Sequence, residues 1–166
     1  MNINKLFLDK IFLDKRIDFF IKTKQIKLIN ENPELVQSHL EKAKHNISFY
    51  KLNKKNSDYK DWQIVVLYYA LYHTTLALIT KKNYSSKSHE ATVLLLIKEY
   101  SISKGEAELI EDLSVNKDEA YLYTQLKKDR HDASYSTETK FTKKLIENYE
   151  EEVIRFINKA EFILRN

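Results

Sequence analysis

The chain has 166 residues, one Gly, one Pro and no Cys. Average usage is about 7 % Gly and 5 % Pro, so turn residues are nearly absent, and an all-β fold with a turn every 8–12 residues or so is excluded. A single Gly105 also excludes Gly-rich phosphate loops and dinucleotide fingerprints. The lack of Cys removes disulfides, thiol nucleophiles and Cys-ligated metals, and points to a reducing, cytoplasmic compartment. The 28 Lys+Arg exceed the 24 Asp+Glu by four, and residues 1–30 alone hold seven basic and three acidic side chains. The rest is therefore balanced, and any anion site there has to come from local clustering.

In chain order, residues 1–30 predict a basic amphipathic helical extension. Its tandem LFLDK-IFLDK turns about 140° per five-residue step on a helix, so it does not build one clean apolar face. Asp9, Lys10 and Asp14 interrupt the apolar run that a signal peptide requires. Residues 22–30 read as a basic connector. The remainder, 31–166, is expected to be one helical domain. Asn32-Pro33 is a helix start, followed by an apolar stripe at Val36, Leu40, Ala43, Ile47 and Tyr50 that predicts a helix over about 33–53. Asp58 is placed to cap a second helix running to about Lys82. Its apolar stretch from Ile64 to Ile79 is shorter than the roughly 20 residues that span a bilayer, so it reads as a buried central helix, with no membrane partner.

Residues 83–88 (NYSSKS) read as a turn, with Ser88 capping a short apolar helix over 89–100. Ser103-x-x-Glu106 is a capping box opening a fourth helix, expected to break near 114–117 at the second capping signal Asn116-x-x-Glu119 and to resume to about Ala133. Residues 134–139 form a turn. The last helix, about 138–164, presents Phe141, Leu145, Tyr149, Phe156, Ala160 and Ile163 on one side. No strand alternation is visible. The expectation is an all-α, antiparallel up-and-down four-helix bundle with an additional helical element. In such a bundle the second-to-third and fourth-to-fifth connections share an end, which would bring Lys81, Lys82, Lys87 and His89 towards Lys127, Lys128, Arg130, His131, Asp132, Tyr135, Lys140 and Lys143. Helix N-termini there add donors for an anion.

Tyr68-Tyr69-Ala70-Leu71-Tyr72-His73, with Ser88-His89 after the next turn and DRHDASY at 129–135, resembles the HEPN family (higher eukaryote and prokaryote nucleotide-binding domains) over roughly 33–164. The resemblance implies a helical bundle, usually dimeric, that binds nucleotides or RNA. In many members it implies a metal-independent ribonuclease toxin, with an Arg-x(4–6)-His motif shared across the dimer and a nucleotidyltransferase antitoxin as partner. Here the positions five to seven after Arg130 are Tyr135, Ser136 and Thr137, so that motif is missing in its usual form. Metal-free RNA cleavage needs a base at the 2′-hydroxyl and a cation at the phosphate. Arg130 is the candidate cation and His131, or else His89, the candidate base.

The candidate nucleotide-binding residues are Lys87, His89, Arg130, Tyr135, Lys140, Tyr69 and His73. Each has a plainer role available. Tyr69 and His73, four apart on an apolar helix, suit a buried pair. His89 suits a turn-orienting role, Arg130 a helix C-terminus, and Tyr135 a core anchor. Tyr84 and Tyr135 are the aromatics placed to stack on bases. No metal or other cofactor is expected: His39 and His45, six apart, lie about 240° around a helix, and no Glu-x-x-His pairs recur as a di-iron bundle requires. Three functions stay open: a binding module, a metal-independent endoribonuclease using Arg130 and His131, and a non-catalytic interaction bundle.

Overall fold

The computed structural model describes residues 1–55, 59–128 and 141–165, and at 116 and 119–128 the backbone alone. Its elements are α1 (Ile3–Leu8), α2 (Lys10–Lys22), β1 (Ile26–Leu28), α3 (Pro33–Asn53), α4 (Lys60–Lys81), β2 (Tyr84–Ser86), α5 (His89–Tyr100), α6 (Lys104–Lys128) and α7 (Lys143–Arg165). The all-α expectation holds, apart from one short ladder.

Local signals set most helix starts as expected. The Asn32 side chain accepts from Leu35 N, with Pro33 at the first helical position. Ser88 accepts from Ala91 N. Ser103 N donates to Glu106 Oε2 at 2.7 Å while Glu106 N donates to Ser103 Oγ at 3.2 Å, a reciprocal capping box. Burial pushes the Glu106 carboxyl up, but Lys159 and the Ser103 donors outweigh it and hold the group below its usual range. Asp58 lies outside the described residues, and Tyr59 occupies the N-cap of α4 without a side-chain cap bond.

Helix α4 is the hub, packed against α3, α5, α6, α7 and β2. Ile64, Leu67, Leu71 and Leu78 are sealed from solvent. Among the described residues it is the one helix long and apolar enough to cross a membrane, and 72 % of that apolar window is buried inside the fold. Thr74 and Thr75 enter this core by donating back to Ala70 O and Tyr72 O, which satisfies hydroxyls that would otherwise be buried bare.

Two details of the expectation are corrected. Residues 22–30 and 83–88 are not simply connectors: β1 and β2 pair antiparallel, Ile26 opposite Ser86 and Leu28 opposite Tyr84. Three-residue strands are too short to show alternation, and long-range pairing around the buried Ile26 creates them. Helix α6 also runs unbroken through 114–117. Leu109, Ile110 and Leu113 are buried on α6, which packs on α4, and that packing overrides the local capping preference of Asn116.

The scarcity of glycine has a visible consequence. Left-handed backbone positions fall on Lys24, Asn83 and Ser101, with φ of 58°, 63° and 48°. The lone Gly105 sits in the first turn of α6 with open space where a Cβ would be. Asn is the best of the three substitutes, because its short polar side chain tolerates this region.

The arrangement of ends also differs from the expectation. Pro33, Thr80, Lys81 and Arg165 line one hollow of about 420 Å³. Lys54, Lys55, Lys60 and Lys143 line another of about 360 Å³. The bundle therefore consists of α3, α4, α6 and α7, while α5 is an accessory element that starts beside Tyr68 and ends beside Leu78. Lys81 and Lys143 consequently lie at opposite ends rather than sharing one.

Candidate functional site

Five rings form a continuous row across α3, α4 and α5. His39 of α3 meets His73 of α4 with Nδ1 atoms 3.2 Å apart. His73 lies 5.9 Å from Tyr72, centroid to centroid, Tyr72 stacks on Tyr68 at 5.7 Å, and Tyr68 lies 6.4 Å from His89. The helix repeat explains the inner part, because Tyr68 and Tyr72 are one turn apart on one face. The N-cap at Ser88 explains the far end, because it fixes where α5 starts and so where His89 projects. Tyr69 packs edge-on against Tyr68 at 5.2 Å and is 40 % exposed. Lys117 of α6 sits 4.8 Å over the Tyr68 ring, a cation–π contact.

Electrostatics keep this row uncharged at neutral pH. Burial, the neighbouring His39 and Lys42 push His73 below its ordinary value, and burial does the same to His39. Burial raises the Tyr68 phenol to about 12, assisted by Tyr72 and opposed by a hydrogen bond with Ser114. For His89, burial and Lys117 outweigh Glu111 and Asp118, so its pKa is also lowered. Its Nε2 lies 3.5 Å from Glu111 Oε2, and it has no hydrogen-bond partner among the described residues.

A lowered folded-state pKa means the unfolded chain takes up the proton first. Stability should therefore fall as pH drops below 6.5, and the loss should level off once His89 protonates in the fold. Urea midpoints at pH 7.5 and pH 5 should show this decline, and His89→Gln should lessen it. A midpoint unchanged or rising towards pH 5 would contradict the assignment.

Of the residues singled out by sequence, His73 and His89 are both in the ring row, with Tyr69 beside it. Lys87 is exposed, and its backbone N donates to Gln25 O, extending the β1–β2 ladder. Arg130, His131, Tyr135 and Lys140 lie outside the described residues. Tyr84 is half-buried in β2 against the core rather than free to stack. Sequence reasoning missed His39, Tyr68, Tyr72 and Lys117. His39 carries a weak signal, four residues before the buried Ala43 and thus at the margin of the α3 stripe. Among the described residues no group of three or more His, Asp or Glu side chains gathers as a metal site.

No family model matches the sequence. A Methanocaldococcus jannaschii protein named "Putative toxin MJ0605" is 34 % identical over 77 residues, which is 46 % of this chain and 56 % of that protein. The chain thus spans little more than half the length of the curated relative it matches, and it has a toxin-like counterpart.

Proposed function

We propose that the chain is a HEPN-like nucleotide- or RNA-binding module in a toxin–antitoxin or defence system, with a nucleotidyltransferase partner and a homodimeric assembly. One observation carries this reading: Tyr68, Tyr72, His73 and His89, drawn from two of the three segments that carry the resemblance, stand in one row. Exposed Tyr69 beside that row offers a ring face to a base, and stacking on an aromatic is worth about 1–3 kcal/mol per base. Arg130, Tyr135 and Lys140 are the residues proposed to meet phosphate, and Lys87 with His89, on the other connection, are the alternative set. The toxin relative supports a second reading, a metal-independent endoribonuclease in which Arg130 holds the phosphate and His131 acts as base.

The test is incubation of the purified chain with single-stranded RNA in EDTA, beside Arg130→Ala and His131→Ala. Binding without cleavage, lost at least tenfold in Arg130→Ala, is the expected result. Cleavage that survives EDTA and disappears in both variants would establish the ribonuclease instead. Neither binding nor cleavage would leave only a protein-interaction bundle.

A further inference from the structure

The closest pair of titratable rings in the row has chemistry that nucleotide binding does not use. His39 and His73 project from neighbouring helices and are both half-buried. Their Nδ1 atoms are 3.2 Å apart and their ring centroids 5.4 Å apart, so the two nitrogens face each other. We propose that His39 and His73 form a two-histidine clamp for a borderline divalent transition-metal ion, with Zn²⁺ as its representative.

The spacing is the first argument. Imidazole nitrogens bind Zn²⁺ at about 2.0–2.1 Å. Two such nitrogens 3.2 Å apart subtend roughly 100° at the ion, between the octahedral and tetrahedral angles. The pair therefore reaches one ion with little change of backbone.

The second argument is direction. The contact aims each Nδ1 at the other, and Nδ1 is a ligating atom of imidazole. In the metal-free chain one Nδ1–H donates to the other Nδ1, and when the ion arrives that ring shifts to its Nε2–H tautomer, which frees Nδ1 to ligate. A general acid–base pair for phosphodiester cleavage fits the geometry poorly. Base and acid would have to reach oxygens on opposite sides of one phosphorus, whereas these nitrogens converge on a single point.

The surroundings set the character of the ion. Lys42 lies close enough to bear on His73, and its charge opposes any cation, so the imidazole bonds have to supply the affinity. Imidazole selects borderline ions such as Zn²⁺, Ni²⁺ and Cu²⁺ over Mg²⁺. With two protein ligands, the remaining positions open to water.

The test is calorimetric titration of the untagged full chain with Zn²⁺ and separately with Mg²⁺, at neutral pH. Saturable binding of Zn²⁺ but not Mg²⁺ is expected. His39→Ala and His73→Ala should each weaken it at least tenfold, while His45→Ala leaves it unchanged. Circular dichroism of each variant checks folding. On the unaltered chain, long-range ¹H–¹⁵N spectra should show the Nδ1 resonances of His39 and His73 moving together as Zn²⁺ is added. Absence of Zn²⁺ binding, binding that survives both substitutions, or shifts confined to other histidines would overturn the assignment.

Discussion

Phe20→Ala is expected to cost about 3–4 kcal/mol of folding stability, the range for emptying a packed phenylalanine site. An appendage would behave differently: a substitution on a loosely attached N-terminal segment stays within about 0.5 kcal/mol. Phe20 is 5 % exposed, and Leu6, Leu13, Ile17 and Ile26 are buried in the same core. Helix α2 lies on α5, and β1 is laddered to β2. The face is also held electrostatically. The Arg16 guanidinium donates to Glu90 at the start of α5 and sits 5.2 Å from the Phe20 ring, while Lys98 reaches Asp14 at 3.0 Å. Exposed pairs of this kind add little individually, so the expected loss comes from the ring. Urea unfolding at pH 7.5 measures it: the midpoint should drop while the slope with denaturant stays the same. A midpoint shift worth less than about 1 kcal/mol would show that α2 contributes little to the cooperative unit.

What was legible in the sequence, and what was not, divides by range of interaction. Helix α3 could be read to the residue because Asn32-Pro33 is a local cap signal and the stripe from Val36 to Tyr50 is a local period. Helix α5 could be read for the same reason, from Ser88 and the VLLLI run. The continuity of α6 could not, because a capping preference at Asn116 is local while its loss to packing on α4 is not. The placement of the charged connections failed for one specific reason. Helix α5 was counted as a full member of the up-and-down bundle. In the fold the β2 segment carries the chain back and α5 runs parallel to α4, from beside Tyr68 to beside Leu78, and removing one member from the alternation reverses the end at which every later connection falls.

The site shows the same limit. Tyr68 and Tyr72 share a face by helix arithmetic alone, and His89 follows from its cap. His39 and His73 are 34 residues apart, on two helices. Their meeting depends on the α3–α4 register, which is set by the summed packing of both helices rather than by any motif. Spacing arguments confined to one helix compare His39 with His45 and correctly separate them, yet they never test the pair that forms.

Replacing Trp62 with glutamate is expected to convert the proposed homodimer into a monomer, lowering the scattering mass from twice the chain's 19.8 kDa to that value. Trp62 and Val66, four apart, share one face at the start of α4. This face stays incompletely covered: Trp62 is 45 % exposed, and Tyr59 and Phe49, which line one hollow with it, are exposed as well. Between them runs an apolar hollow of about 240 Å³ lined by Phe49, Tyr50, Asn53, Tyr59, Trp62, Gln63 and Val66. A hollow next to a projecting indole on one face suits a two-fold contact, in which each copy offers the same patch to the other. Large aromatic anchors carry most of the energy of such contacts, about 2–4 kcal/mol when removed from the centre. That corresponds to roughly 30- to 1000-fold in dissociation constant. A carboxylate at this position adds the cost of burying an unpaired charge in each copy. Stability of the single chain should change little, because Trp62 is nearly half-exposed within it, and a thermal melt at low protein concentration checks this. Trp62→Phe is the companion variant, and it should keep the larger mass because it retains an aromatic anchor. An unaltered chain that already scatters as a monomer at micromolar concentration, or a Trp62→Glu chain that stays dimeric, would remove this face from the assembly.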